Sequence, residues 1–444
     1  MPADRVEASD SNEVNPHYLD HVVHTADVHT VAVTQDIVSQ AGVKLLAKGA
    51  RVDASMRERL LQHKLMRPLE ECLEVVGAVN EAQIQAEAKA LLDQHPMLQA
   101  VFGAVNQPDM VLGKLGLSAE VLSMLSVFAQ HRPQRLSHAC GVALLAKGLA
   151  RRLFVGDMEL HKLLTRAGLL HDIGELYLDP QLWQRDRLLG PDEWRHVITH
   201  PVVGHKVLSQ MPGAGQVVAD AVLCHHERLD GFGYPRGLRG ERCQLQGQVL
   251  AAAEWLMGVL EAGTSVAMHA RIAAKLVEGE FAPELSRLLG EAVRGLMKGE
   301  IDLQGAARSS RVAEVYRAMQ MVKARYGDIE GLVGEGSAEL RALLRPCAQR
   351  LTRLQLAFSS AGLDAQQPDT MMALLGPEDE GLRQELEAMA HEFEWRLREL
   401  ERAVLMRAHA LAPEDQALVQ GLVASFRSAE QDLTPAPPAV ADDA

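Results

Sequence analysis

Cysteine is scarce and unpatterned in this chain. Its five residues, Cys72, Cys140, Cys224, Cys243 and Cys347, are odd in number and no two stand in a CxxC spacing. This argues against a disulfide framework and a structural zinc site, and leaves reduced thiols in or near the core. Long apolar runs are missing too, since none approaches the roughly 18 to 20 residues that a membrane helix needs. The opening MPADRVEASDSNEVNPHYLD has none of the basic, apolar and small-residue order of a signal peptide. The chain therefore reads as cytoplasmic and free of membrane. Positive charge is also short: 45 Lys and Arg face 59 Asp and Glu, a formal net charge of −14. Non-specific binding to nucleic acid or anionic lipid is disfavoured, so an anionic substrate would need a local source of positive charge. Bound metal ions would supply one.

What the chain does have is apolar material, 47% of 444 residues, enough for a large core divided among two to four structural units. The helical patterns along the chain read as a mostly α protein, with a disordered start at 1–20. Residues 21–79 mix β-branched residues with Gly42 and Gly49, as in a small α/β module whose helix DASMRERLLQHKL is capped by Asp53. Residues 80–125 read as a helical spacer that starts with a capping box of Asn80 and Gln83. The histidine-rich chemistry falls in 126–300, and 301–430 is helical and charged. There Leu382, Leu386, Met389, Phe393, Leu397, Leu400 and Val404 recur at three- and four-residue steps, as for a packed bundle or for a coiled coil that self-associates or takes a protein partner. The Pro- and Ala-rich residues 431–444 have the composition of a disordered tail.

Helical periodicity places the histidines. Leu160, Leu163, Leu164 and Ala167 mark a buried stripe that His171 continues, with Asp172 at the helix end. Val218, Ala221 and Val222 deliver His225 in the same way, with His226 one step around. Glu254 shares a face with Leu250, Ala253 and Met257, and an unpaired carboxylate in such a place costs several kcal/mol or loses its charge. Taken singly, each histidine has an ordinary alternative, a hydrogen bond to a backbone carbonyl. Taken in order, His138, His171, Asp172, His200, His225, His226 and Glu254 are nitrogen and oxygen donors with no sulfur, which suits iron, manganese or similar divalent ions.

Three segments, GLLHDIGE, HPVVGHKVL and HHERLDGFGYP, together resemble the HD-GYP family of HD-domain metal-dependent phosphohydrolases, whose best-known members hydrolyse cyclic di-GMP. The likeness runs over roughly residues 126–300. It implies an HD-domain helical bundle holding two divalent metal ions. One would be bound by His138, His171, Asp172 and Glu254, and the other by His200, His225 and His226, with Asp172 as the bridge. His171 and Asp172 would thus be the centre of a two-metal phosphodiester hydrolysis, with Tyr234 and Pro235 as scaffold. Arg228 and Arg236 beside the GYP turn, and Arg271 and Lys275 beyond Glu254, are the candidates for substrate phosphate. His196, four residues before His200, reads as solvated.

The departures are as informative. HDIGE stands where the family has HDIGK, so Glu175 replaces a lysine that would approach the phosphate, and it is expected to repel an anionic substrate. Glu254 stands for the usual aspartate, Gln134 for the glutamate of three-metal members, Gln248 near the place of a family arginine, and the arginine-rich stretch after the last ligand is not recognisable. Two readings follow. One is an active cyclic di-GMP phosphodiesterase; the other is a degenerate relative that keeps the metal site and serves as a partner-binding scaffold.

Overall fold

The computed structural model describes residues 13–77, 79–103, 108–184, 189–261, 279–296, 324, 327–334, 336–360 and 380–432. The chain divides into two compact units, one made of residues 1–263 and 278–296 and the other of 264–277 and 297–444. Helix dominates both.

The first unit opens with helix α1 (Pro16–Ala26), which starts where Asn15 accepts hydrogen bonds from the amides of His17 and Tyr18 at 3.0 Å, so residues 13–20 are ordered and not part of the disordered start expected at 1–20. Strand β1 (Thr30–Val33) pairs antiparallel with β4 (Leu73–Val76), Thr30 opposite Val76 and Val33 opposite Leu73. Strands β2 (Ile37–Val38) and β3 (Lys44–Leu46) form a second antiparallel pair. After β3 Asp53 caps a short turn of 3₁₀ helix through the amide of Ser55, 2.8 Å away, and α2 (Arg57–Leu61) follows. The helix expected here is therefore broken into two turns.

Helix α3 (Glu81–Gln94) begins with both halves of the Asn80–Gln83 capping box at 3.0 Å, and α4 (Pro96–Phe102) follows. The core is built on α5 (Ala119–His131), α6 (Pro133–Leu153), α7 (Met158–Leu170), α9 (His200–Gln210), α10 (Gln216–Leu223) and α11 (Leu245–Glu261), with the short α8 (Pro191–Val197) leading into α9. Ser123 and Ser126 of α5 accept hydrogen bonds from the amides of Val75 (3.1 Å) and Val79 (3.0 Å), which ties the strand module to the helical core.

Glycines set how closely these elements meet. A Cβ on Gly168 of α7 would lie 2.6 Å from the Cα of Ala143 in α6. After α7 the chain makes a 3₁₀ turn, Ile173–Tyr177, wedged against the start of α9: a Cβ on Gly174 would lie 2.1 Å from the carbonyl oxygen of His200. Backbone meets backbone there, so no side chain can rotate away to make room.

In the second unit the helix Ala338–Ser360 buries Leu340, Leu344, Cys347 and Leu351 at alternating four- and three-residue steps. Leu351 lines a small apolar cavity with Ile329, Leu397, Leu400, Val404, Leu422 and Val423. Of the apolar stripe expected along Glu380–Ala408, Leu397, Leu400 and Val404 are thus packed within this unit. The side chains of Leu382, Leu386, Met389 and Phe393 lie outside the described residues. All five cysteines are buried and free. No helix among the described residues is long and apolar enough to cross a membrane.

The wedge at Gly174 generates a direct test. Gly174→Ala should force the turn off His200 and lower the unfolding free energy by about 1–3 kcal/mol, seen as a lower melting temperature together with weaker metal binding; an unchanged melting curve would refute the wedge.

Candidate metal centre

The seven residues singled out as ligands come together, and five of them do so at helix ends. His138 lies inside α6 and Glu254 inside α11, whereas His171 and Asp172 follow the last residue of α7, His200 is the first of α9, and His225 and His226 sit in the turn after α10. Two groups result, Asp172 with His200, His225 and His226, and His138 with His171 and Glu254; within each, one donor atom per residue lies within 4.8 Å of all the others.

The backbone decides which ring nitrogen faces inward. In His171, His200 and His225, Nδ1–H donates to the carbonyl three residues back, Gly168 at 2.7 Å, Val197 at 2.8 Å and Val222 at 2.6 Å. Nε2 is thereby left pointing at the centre in all three. His200 Nε2 and His225 Nε2 face each other at 3.0 Å. Burial pushes the His225 imidazole down to about 4, so its ring is neutral near pH 7. A neutral ring with Nδ1 protonated offers only a lone pair at Nε2. Asp172 Oδ1 lies 3.4 Å from the first of these nitrogens and 3.5 Å from the second, so three donor atoms converge on one spot.

The other oxygen of Asp172 turns to the second group. Oδ2 lies 3.0 Å from His171 Nε2 and 3.9 Å from His138 Nε2, while Glu254 Oε2 lies 3.0 Å from His138 Nε2 and 3.3 Å from His171 Nε2. Glutamate therefore reaches the position where the resemblance leads one to expect aspartate. His171 Nε2 and Asp172 Oδ2 are buried with no well-directed hydrogen bond, Oδ2 having only close ion-pair contacts with Arg135 Nη2 (2.7 Å) and His171 Nε2 (3.0 Å). Buried polar atoms left in this state are costly, and a cation among them would satisfy both groups together. The donor set fits two divalent ions joined through Asp172. Burial opposes charge on His138, yet Glu254 and Glu261 beside it raise its imidazole to about 9. A metal ion here must therefore displace protons.

Three neighbours were not anticipated from the sequence. Glu261 Oε1 lies 2.9 Å from His138 Nδ1, so this ring is oriented by a carboxylate instead of a carbonyl. Arg135 Nη2 lies 2.7 Å from Asp172 Oδ2 and also pairs with Glu175 Oε1. Arg132 Nη1 lies 3.4 Å from Glu175 Oε2, with its guanidinium 4.9 Å from the centre of the Trp183 ring. Spacing did carry the signal: Arg135 precedes His138 by three residues and Glu261 follows Glu254 by seven, both one-face helical steps.

Several expectations require correction. Glu175 is only 4% exposed and held between two arginines, so it is not a bare negative charge facing the substrate. Arg228 is buried, its guanidinium 5.1 Å from the Phe281 ring centre and 3.8 Å from Glu280, so it packs the loop instead of offering itself to phosphate. Arg236 braces the same loop, with Nη2 3.1 Å from Cys224 Sγ and Nε 3.9 Å from Glu227. Arg271 and Lys275 lie outside the described residues. His196 is exposed, as expected of a solvated side chain.

The GYP segment acts as scaffold. Glu227 is buried and its two oxygens accept the amides of Arg236 (2.7 Å) and Leu238 (2.8 Å), pinning the loop from both sides. Tyr234 stacks on His226 with ring centres 4.5 Å apart and 26° between planes. A Cβ on Gly233 would lie 2.2 Å from the amide nitrogen of Arg228, which restricts that position to glycine.

Residues 122–278 match the HD domain family. Similar stretches occur in curated proteins: a 3'3'-cGAMP-specific phosphodiesterase of Vibrio cholerae is 33% identical over 28% of this chain and 26% of its own length. A cyclic di-GMP phosphodiesterase of Thermotoga maritima is 30% identical over 30% of this chain and 36% of its own. One of Pseudomonas aeruginosa is 38% identical over 26% of this chain and 28% of its own. The chain thus spans between about a quarter and two fifths of the length of the curated relatives it matches.

Two outcomes test the centre. Protein purified anaerobically with iron or manganese supplied should carry about two ions per chain by elemental analysis, and Asp172→Ala should lose the bridge and at least one of them; a full metal complement in Asp172→Ala would show that Asp172 joins nothing. Glu261→Ala, which leaves all seven ligands in place, should weaken metal affinity by on the order of 10- to 100-fold through the loss of the His138 partner, measurable by competition with a chelating dye.

Proposed function

We propose, from the premise that residues 122–278 are an HD domain of the HD-GYP type, that the chain is a metal-dependent phosphodiesterase acting on a cyclic dinucleotide, with cyclic di-GMP as its first candidate substrate. The observation that carries this reading is the pair of buried ligand groups sharing Asp172. When bound, two divalent ions would polarise the phosphoryl oxygens and lower the pKa of a water held between them. The chain's own residues do the rest. Glu254 and Asp172 offset the cationic charge, the carbonyls of Gly168, Val197 and Val222 fix the imidazoles, and Arg132 and Arg135 are cations at the edge of the centre. These arginines provide the local positive charge that a chain with a net charge of −14 needs in order to hold a phosphodiester.

The relatives' names divide between cyclic di-GMP and 3'3'-cGAMP, so the dinucleotide itself is chosen by experiment. We place the activity in the cytoplasm, where such second messengers are made and destroyed, and assign iron or manganese to the centre because all its donors are nitrogen and oxygen. The helices of the second unit are the candidate surface for a protein partner or for self-association.

The test is hydrolysis of cyclic di-GMP and of 3'3'-cGAMP by the full chain loaded with iron or manganese, followed by chromatography of the linear products. Turnover of at least one is expected, and His226→Ala should abolish it. A fully metal-loaded parent that cleaves neither would overturn the enzymatic reading and favour the scaffold alternative.

A further inference from the structure

Glu175 presents a contradiction. It follows Asp172 by three residues, directly after Gly174 in a 3₁₀ turn, so a side chain here borders the metal centre, where a second-messenger phosphodiester would sit. A carboxylate there should be exposed to the anion and repel it, yet this one is buried and occupied. Arg135 and Arg132, from the first turn of α6 and the residue before it, close on its two oxygens. The Arg135 and Arg132 side chains keep 28% and 25% of their surface, so neither is fully enclosed by its carboxylate partners.

Arg135 has a second engagement, with Asp172 Oδ2 at 2.7 Å, the oxygen that also faces His171. That oxygen is needed by a metal ion in the His138–His171–Glu254 group. With a cation held by that group, Asp172 Oδ2 would be shared and the Arg135 guanidinium would be pushed away from it. Arg135 Nε, buried and without a hydrogen bond, shows that its donors are not all used even beside two carboxylates. Anchored by Glu175 and freed from Asp172, the guanidinium would stand at the edge of the centre with donors to offer, and a planar fork of N–H groups matches two oxygens of a phosphodiester.

We propose that Arg135 is the phosphate-binding residue of this site and that Glu175 is its positioning residue, so that the cation is delivered from helix α6 and the carboxylate after the HD pair serves to hold it. This rests on the phosphodiesterase reading above and goes beyond it by naming the residue that takes the substrate's phosphate. Arg132, packed on Trp183, completes the anchor from the other side.

The experiment is equilibrium binding of a non-hydrolysable phosphorothioate analogue of cyclic di-GMP, with metal content and metal affinity measured on the same samples. In Arg135→Gln, analogue affinity should fall by about tenfold or more, equivalent to ~1.4 kcal/mol, while metal affinity stays the same or rises because a competitor for Asp172 is gone. A merely structural arginine would lower both together. Arg135→Lys, which keeps the charge without the fork, should recover part of the loss. Glu175→Gln discriminates further: an anchor predicts weaker analogue binding, whereas a simple repulsive charge predicts tighter binding. Unchanged analogue affinity in Arg135→Gln, or tighter binding in Glu175→Gln, overturns the proposal while leaving the phosphodiesterase reading intact. If the parent protein, carrying its metal ions, does not bind the analogue at all, that reading falls and this proposal falls with it.

Discussion

Everything around the centre answers to one buried carboxylate. Asp172 lies between two clusters of imidazoles with one oxygen committed to each, in a setting where water cannot share the load. A carboxylate so placed stays ionised only if cations surround it, and Arg135 together with nearby imidazolium holds it well below the usual carboxylate range against the opposing effect of burial. The same arrangement that would be destabilising on its own becomes favourable once divalent ions occupy the converging donors. Stability of this region and its chemistry are therefore the same electrostatic problem.

The helical core solves that problem through its ends. A helix terminus leaves carbonyls without intrahelical partners, and a histidine just past the end can use one of them to fix Nδ1. His171 after α7 and His225 after α10 do this with the carbonyls of Gly168 and Val222, and His200 does it with Val197 at the approach to α9. Ring orientation then costs no extra polar side chain. The close crossings at Gly168 and Gly174 bring these termini within reach of one another, so small residues far from any ligand role determine whether the donors converge.

That economy explains what could be read from the sequence. The ligands were legible because His171 and His225 continue apolar stripes, which is unusual for a polar side chain and points to a shared buried partner. Their place just beyond the helices, and not inside them, was less legible, since periodicity runs smoothly through a helix end. Arginines were misread in both directions. Arg228 and Arg236, beside the motif, looked available but are used by Phe281, Glu280, Glu227 and Cys224. Arg135, away from any motif, turned out to touch the central carboxylate. Sequence proximity to a motif says little about which way a long flexible side chain is drawn. Glu175 was misjudged for the same reason, because its partners come from a helix 40 residues earlier.

The turn that carries Glu175 is also where the N-terminal module meets the core. Tyr177, two residues on, stacks flat against Tyr18 of α1 with ring centres 4.9 Å apart, gives its hydroxyl to Glu70, and has its carbonyl held by Asn15 at 3.1 Å. Two separate segments, the start of α1 and the turn holding Glu70, thus make three contacts with one residue of a five-residue turn whose N-cap is Asp172. A 3₁₀ turn of that length has little internal slack, because each residue is tied to the third one along. The start of α1 and the turn at Glu70 are consequently part of what fixes the turn behind Asp172, and they belong to the same mechanical unit as the histidines.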